Sequence, residues 1–482
     1  MSEQMNLLIL MADEHAKDAI GAFGHPIVQT PHLDRLVATG TAFTSAYTPS
    51  PLCVPARAAI ATGRPVHEIG AWDNAHPYEG TPEGWAHAAT RAGIDTLSIG
   101  KLHFRSDSVN TGFARSLLPM HVVEARGDIL GSIRNPLPQR AKGKSLAAGI
   151  GVGETSTSRY DRSIADVACA EIEKRGTTPA TPPWLMFVSF VAPHFPLTAP
   201  EKFARLYSPA EMPLPASAIA PEEQHPWFAE MRRTLNWKEG FNDDTRRQAV
   251  ASYYGLTSFM DDNVGRVLAA LDRAGLTGRT RVIYLSDHGE ALGKRDLWGK
   301  STLYEESAGV PLILSGPDVP HGRIDAPVCL TDLDATVRDA LRLDVSEDGG
   351  TSLLGVARRR MDPPADVLSQ FHGGGSPSAA YMIRFGDWKY VAYAGFAPQL
   401  FHLPSDPDER HDRSNAPSAY EALVEGRRLL LNRLDPDAVD REAKAAQSAL
   451  VEQHGGREAI IAKGGFGATP PPGEKALYAK GK

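Results

Sequence analysis

Short apolar runs alternate along the chain with stretches in which apolar residues recur every three or four positions. Asn6–Met11 (NLLILM), Trp184–Val191 (WLMFVSFV) and Arg281–Leu285 (RVIYL) are apolar without the alternation of a half-exposed strand, which predicts buried strands, and Thr96–Ile99 and Pro311–Leu314 predict two further strands. Helical patterns lie between them. Thr30-Pro31 opens one in which Leu33, Leu36 and Val37 share a face and Gly40 closes it. Thr81-Pro82 and Gly93 bracket a second, Asp244–Ala274 carries a long third, and Asp332–Leu341 a fourth. This alternation predicts βαβ units: an α/β protein built on a large, mostly parallel sheet flanked by helices.

The rhythm changes twice. Residues 135–158 are rich in Gly, Pro, Ser and Lys without periodicity and predict a surface loop, a candidate lid over a cleft. Beyond Pro364, Tyr381–Phe385, Trp388–Tyr393 and Gln399–Leu403, with Gly386-Asp387 in the first turn, predict an antiparallel meander. Two helical stretches and a flexible tail, KGGFGATPPPGEKALYAKGK, are expected to follow. The chain therefore divides into a large α/β domain, 1–364, and a smaller C-terminal α+β subdomain, 365–482, with an antiparallel sheet.

Charge and composition narrow the function by exclusion. Fifty-one basic and 58 acidic residues give a net charge of −7, so nothing predicts a nucleic-acid partner. No stretch approaches the roughly 18 apolar residues that a membrane span needs. The apolar run at Leu7–Met11 is too short for a signal-peptide core and lacks a basic flank. Three cysteines, Cys53, Cys169 and Cys329, make no disulfide framework and fit a reducing compartment. A cytoplasmic protein is expected.

The chemistry concentrates in Ser50-Pro51-Leu52-Cys53-Val54-Pro55-Ala56-Arg57. Cys53 is expected just before a short helix that Pro55 starts and Gly63 ends, where backbone N–H groups favour an anion and Arg57 lies one turn in. A lone cysteine is ordinarily a small core hydrophobe. The C-x-P-x-R pattern, however, resembles the signature of the type I, formylglycine-dependent sulfatases of the alkaline phosphatase superfamily. In that family the cysteine is oxidised to formylglycine. One hydroxyl of the hydrated aldehyde attacks sulfur, and the other later expels sulfate.

The resemblance extends along the chain. Asp13, after the first strand, and Asp287-His288, within Ser286–Gly289 after another strand, resemble the family's metal-binding segments, with residue 53 completing the shell. The residue after Asp13, often a second Asp in the family, is Glu14 here and is left out of the metal set. Gly93-Ile94-Asp95-Thr96-Leu97-Ser98-Ile99-Gly100-Lys101-Leu102-His103 matches the family's G-x-x-T-x-x-x-G-K-x-H signature, which implies that Lys101 and His103 lie near the sulfate and the nucleophile. Asn74 resembles a site asparagine of the choline-sulfatase and phosphonate monoester hydrolase branch. His194, in Ala192–Pro196, resembles a histidine that protonates the leaving oxygen, and Lys300 a lysine that contacts sulfate. Phe385–Tyr390, Leu400–Leu403 and Asp406-Pro407 resemble the family's final sheet, so the likeness spans about residues 6–415.

The resemblance implies an alkaline-phosphatase-like fold, sulfate monoester hydrolysis, one divalent cation (Ca²⁺ or Mn²⁺) and formylglycine at residue 53. It also implies formylglycine-generating machinery as a partner, and a homo-oligomer is compatible with it. A phosphonate monoester or phosphodiester hydrolase with the same nucleophile is the alternative, and a non-catalytic anion-binding relative is the third reading. Choline requires an aromatic cage, and residues 114–150 contain no Trp, Tyr or Phe.

Overall fold

The computed structural model describes residues 5–140, 142–177, 182–216, 224–345 and 349–479. Its main sheet has nine strands: β1 (Asn6–Asp13), β2 (Gly40–Tyr47), β3 (Asp95–Lys101), β4 (Arg115–Met120), β5 (Trp184–Pro193), β6 (Thr280–Ser286), β7 (Gly309–Ser315), β8 (Gly322–Ile324) and β9 (Val328–Cys329). They lie in the order β8-β2-β7-β6-β1-β5-β3-β4, with β9 also paired to β2. All pairings are parallel except those of β7, which runs against both β2 and β6. Two reversals restore direction, so β2 ends on the same edge as β1, β3, β5 and β6.

Both faces of the sheet are covered, which is why its central strands read as unbroken apolar runs. Alternate side chains of β1 serve opposite layers. Leu7, Ile9 and Met11 pack with Ile60, Trp85 and Val337 on one face. Leu8, Leu10 and Ala12 pack with Leu33, Ile164 and Phe259 on the other. Those partners come from helices α1 (Pro31–Thr39), α2 (Cys53–Thr62), α3 (Trp85–Arg91), α5 (Ser156–Gly176), α6 (Asp243–Arg273) and α7 (Leu333–Leu341), while a short α4 (Lys142–Ala147) contributes to neither layer. Among the described residues no helix is long and apolar enough to cross a membrane.

A second, four-stranded antiparallel sheet joins β10 (Asp366–Phe371), β11 (Ala380–Phe385), β12 (Trp388–Tyr393) and β13 (Phe396–His402) in sequence order. Helices α8 (Tyr420–Arg433) and α9 (Pro436–Gln453) cover one face, where Tyr381, Ile383 and Leu400 meet Leu430 and Val439. A third helix, α10 (Gly456–Lys463), follows.

Four expectations need correction. The meander has a fourth strand, β10, ahead of the three expected, and three helices follow it rather than two. The segment 135–158 is not all loop: α4 lies inside it, Gly151–Val152 pairs with Thr198–Ala199, and α5 begins at Ser156 behind a Thr155 cap. Cys53 is not ahead of its helix but in its first turn, after Leu52 at the N-cap. Pro55 is tolerated there because first-turn N–H groups lack intrahelical partners. Finally, residues 464–479 of the supposedly flexible tail run across the molecule, pairing Gly465–Phe466 with Tyr478–Ala479, while residues 480–482 lie outside the described set.

Candidate active site

The carboxyl ends of the parallel strands deliver most of the expected residues to one place, as open α/β sheets do. Asp13 ends β1, Lys101 ends β3, His194 follows β5 and Asp287 follows β6. Chain leaving β2 at the same edge leads into α2 and brings Cys53 and Arg57, and the Thr48 hydroxyl donates to the Asp287 carbonyl at 2.5 Å, tying the two strand ends together. Gly63 closes α2 at φ 71°, with its N–H donating to the Ala59 carbonyl.

Arg57 is the hub beneath the site. Its Nε donates to Asp287 Oδ2 at 2.7 Å, its Nη1 to the Lys101 carbonyl at 2.6 Å and to Ser189 Oγ at 2.9 Å, and its Nη2 to Asp13 Oδ2 at 3.3 Å. The Lys101 ammonium also contacts Asp13 Oδ2. Burial alone would raise the Asp13 carboxyl, but Lys101, His194 and Arg57 hold it well below the usual carboxylate range. A guanidinium committed to four acceptors is a fixed part of the floor, so Arg57 orients the carboxylates rather than reaching into open space.

The donors Asp13, Cys53, Asp287 and His288 are all buried, with ligand atoms within 4.8 Å of one another. Cys53 Sγ lies 3.1 Å from His288 Nε2 and 3.8 Å from Asp13 Oδ1. His288 Nδ1 is 3.0 Å from the Gly289 carbonyl, which only accepts, so Nδ1 carries the proton and Nε2 turns its lone pair to the cluster. Two carboxylates and a correctly oriented imidazole fit a divalent cation. Burial, then the Asp13 carboxylate, push the Cys53 thiol up to about 12; an unmodified thiol there is a poor source of thiolate.

Asn74 lines the cavity and its Oδ1 accepts from the Val54 N–H at 3.2 Å, satisfying a first-turn donor of the helix that carries Cys53. His194 Nδ1 faces the Phe195 carbonyl at 2.7 Å, leaving Nε2 toward the cavity, 3.1 Å from Glu14 Oε2. Lys300 Nζ donates to the same Glu14 oxygen at 2.8 Å. His103 lies on the other side, with Nε2 2.9 Å from Thr469 Oγ1. Burial, reinforced by nearby cations, lowers the pKa of both histidines well below the usual imidazole value, Lys101 and Arg57 acting on His103 and Lys300 on His194. Glu14 and His103 sit at φ 65° and 59°, left-handed conformations that non-glycine residues seldom adopt and that cluster at functional sites.

Of these groups, Cys53, Asn74, Lys101, His103, His194 and Lys300 line a cavity of about 110 Å³. Sequence reasoning set Glu14 aside. Its carboxyl, pushed up to about 8 by burial against the pull of Lys300, joins Lys300 to His194 and forms a second donor group with Asp13 and His194. Its place next to Asp13 was the available signal. Thr469, Arg140, Lys142 and the aromatic rings of Phe195, Trp237 and Phe466 also line the cavity without having been singled out.

Residues 5–343 match the family model described as Sulfatase. The choline-sulfatase of Rhizobium meliloti (strain 1021) is 29% identical over 461 residues, covering 92% of this chain and 89% of that protein. Arylsulfatase K of Homo sapiens is 28% identical over 436 residues, covering 84% and 78%. The crystal structure of the phosphonate monoester hydrolase of Agrobacterium radiobacter superposes with a TM-score of 0.72 at 23% identity, over 92% of this chain and 96% of that one, a likeness of fold. With the family model matched across more than two thirds of its length, the chain belongs to the sulfatase family of sulfuric ester hydrolases.

Proposed function

We propose that this protein hydrolyses sulfate monoesters to an alcohol and inorganic sulfate at residue 53, after conversion of Cys53 to formylglycine by modifying machinery of the host. The observation that carries this is that Cys53, which lines a cavity with two buried ammonium groups and an imidazole, also lies within one donor group with Asp13, Asp287 and His288. Asp13, Asp287 and His288, with residue 53, would hold the divalent cation, Ca²⁺ or Mn²⁺; it supplies Lewis-acid polarisation, as formylglycine supplies a hydroxyl nucleophile.

The chain's own residues do the rest. Arg57 fixes the two carboxylates and, through the Lys101 carbonyl, the strand end that bears Lys101. Lys101 and Lys300 place ammonium groups beside residue 53, where charge on the non-bridging sulfate oxygens is stabilised more strongly than in water. His194, oriented by the Phe195 carbonyl, turns the lone pair of its Nε2 to the cavity, so it passes a proton to the leaving oxygen only after taking one up there. Asn74 holds the first turn of α2, and His103 lines the opposite wall, held by Thr469.

The test is a comparison of kcat/KM for an aryl sulfate, a phosphonate monoester and a phosphodiester, using fully modified, metal-loaded enzyme. The sulfate ester is expected to lead. A lead of more than about tenfold for either phosphorus substrate, about 1.4 kcal/mol of transition-state preference, would instead make this a phosphonate monoester or phosphodiester hydrolase using the same residues.

A further inference from the structure

The outer half of the cavity takes no part in the chemistry described above. It is bounded by Asp128, Arg140, Lys142, Trp237 and the tail crossing at Phe466–Thr469. An ester whose sulfur lies over residue 53 meets these residues in the same cavity, where its organic part has room.

Charge in this half is unbalanced. Arg140 is buried and its Nη2 pairs with Asp128 Oδ2 at 2.6 Å. Asp73, the other acid in the wall, is already engaged by the Ser132 hydroxyl, His76, the Ala75 N–H and Gln447. Lys142 is half-buried, and among the described residues its ammonium has no hydrogen-bond or ion-pair partner. At the inner end, by contrast, the Lys101 ammonium contacts Asp13 and the Lys300 ammonium donates to Glu14 Oε2 at 2.8 Å. Two cations thus face the outer half with one carboxylate between them. Burial, then the nearby Arg140 cation, lower the Lys142 ammonium to about 8 against the weaker pull of the Asp128 carboxylate.

The position of these cations is built in. A Cβ at Gly143, next to Lys142, would lie 2.5 Å from the Trp237 carbonyl, so α4 reaches its seat only because residue 143 is glycine. Gly374 in turn packs against Gly131 and Arg140; a Cβ there would lie 2.6 Å from Gly131 Cα and 3.0 Å from Arg140 Nη1.

We propose that the organic part of the ester carries a second anionic group, a carboxylate or another sulfate, received by Lys142 with Arg140 alongside. The inference rests on the sulfatase reading and narrows its substrate class. It also weighs against a quaternary ammonium. Phe195, Trp237 and Phe466 line the cavity, but Phe195 already stacks on His194 at 4.1 Å and faces Lys300 Nζ at 5.2 Å. A trimethylammonium group would meet Lys142 without a free carboxylate to offset it.

The test measures kcat/KM for a neutral aryl sulfate, its ring-carboxylate and ring-sulfate counterparts, and choline O-sulfate, in wild type, Lys142→Met and Lys142→Arg. At least one anionic ester is expected to exceed the neutral one by about tenfold or more, the worth of one charge-assisted contact. Whichever arm leads identifies the group. In Lys142→Met that ratio should collapse toward one, and Lys142→Arg should retain most of it. Ready turnover of the sulfate esters with a ratio near one in wild type, a ratio preserved in Lys142→Met, or choline O-sulfate as the best substrate would overturn the inference alone. Failure to turn over any sulfate ester, with a phosphonate monoester hydrolysed by the same sample, would overturn the sulfatase reading beneath it.

Discussion

The inner and outer ends of the cavity are assembled by different means. At the inner end Asp13, Lys101 and Asp287 sit at the ends of sheet strands, and Arg57 ties them together through three hydrogen bonds. At the outer end Arg140, Lys142, Phe466 and Thr469 come from a loop, a six-residue helix and the C-terminal crossing. The first arrangement cannot shift without disturbing strand register, while the second can change with little consequence for the core. Reaction chemistry is thus fixed on the rigid part, and substrate choice is left to the part that tolerates change.

This contrast can be broken most severely at the inner end. Cys53→Ala is expected to lower turnover by on the order of a thousandfold or more in steady-state assays, as loss of a covalent nucleophile does. Asp287→Ala should abolish binding of the divalent ion, with elemental analysis falling from about one ion per chain toward zero. It also removes the closest carboxylate partner of buried Arg57, so thermal or denaturant unfolding should show a loss of roughly 3 kcal/mol. Undiminished metal content would remove Asp287 from the ligand set. Lys300→Ala comes next, with kcat/KM falling about a hundredfold, the scale of one lost charge-stabilising donor.

At the outer end the effects should be smaller and should fall on substrate choice. Thr469→Val removes the hydroxyl that meets His103 Nε2, and kcat/KM should fall less than about tenfold, the worth of one hydrogen bond. Metal content should match wild type, and unfolding free energy should fall by about 1 kcal/mol. A hundredfold loss would place Thr469 with the inner group and erase the distinction.

The same contrast governs what could be read from sequence. The strands buried on both faces announce themselves as apolar runs, and the residues at their ends fall at motif spacings, so Asp13, Cys53, Lys101 and Asp287-His288 stood out. Strand β10 did not, because DVLSQF carries Ser369 and Gln370 into the interior, where the Gln370 side chain meets His67 through Nε2 and His372 through Oε1. Glu14 looked like a departure from a pattern, and only its long-range contacts with Lys300 and His194 reveal its place. The Thr469–His103 contact joins positions 366 residues apart, and the tail's Gly- and Pro-rich composition predicts flexibility until its docking site is known. Lys142 lies in an aperiodic stretch, where nothing local distinguishes a cavity-lining lysine from a solvated one.

The central claim is that modified residue 53 is the reacting centre for sulfate esters. Mass spectrometry of the peptide containing residue 53 tests it most directly, performed on the samples whose aryl sulfate turnover is measured. Preparations made with and without the modifying machinery should show specific activity rising in proportion to the fraction of residue 53 present as the aldehyde or its hydrate. Full turnover from protein in which residue 53 is entirely thiol would contradict the account.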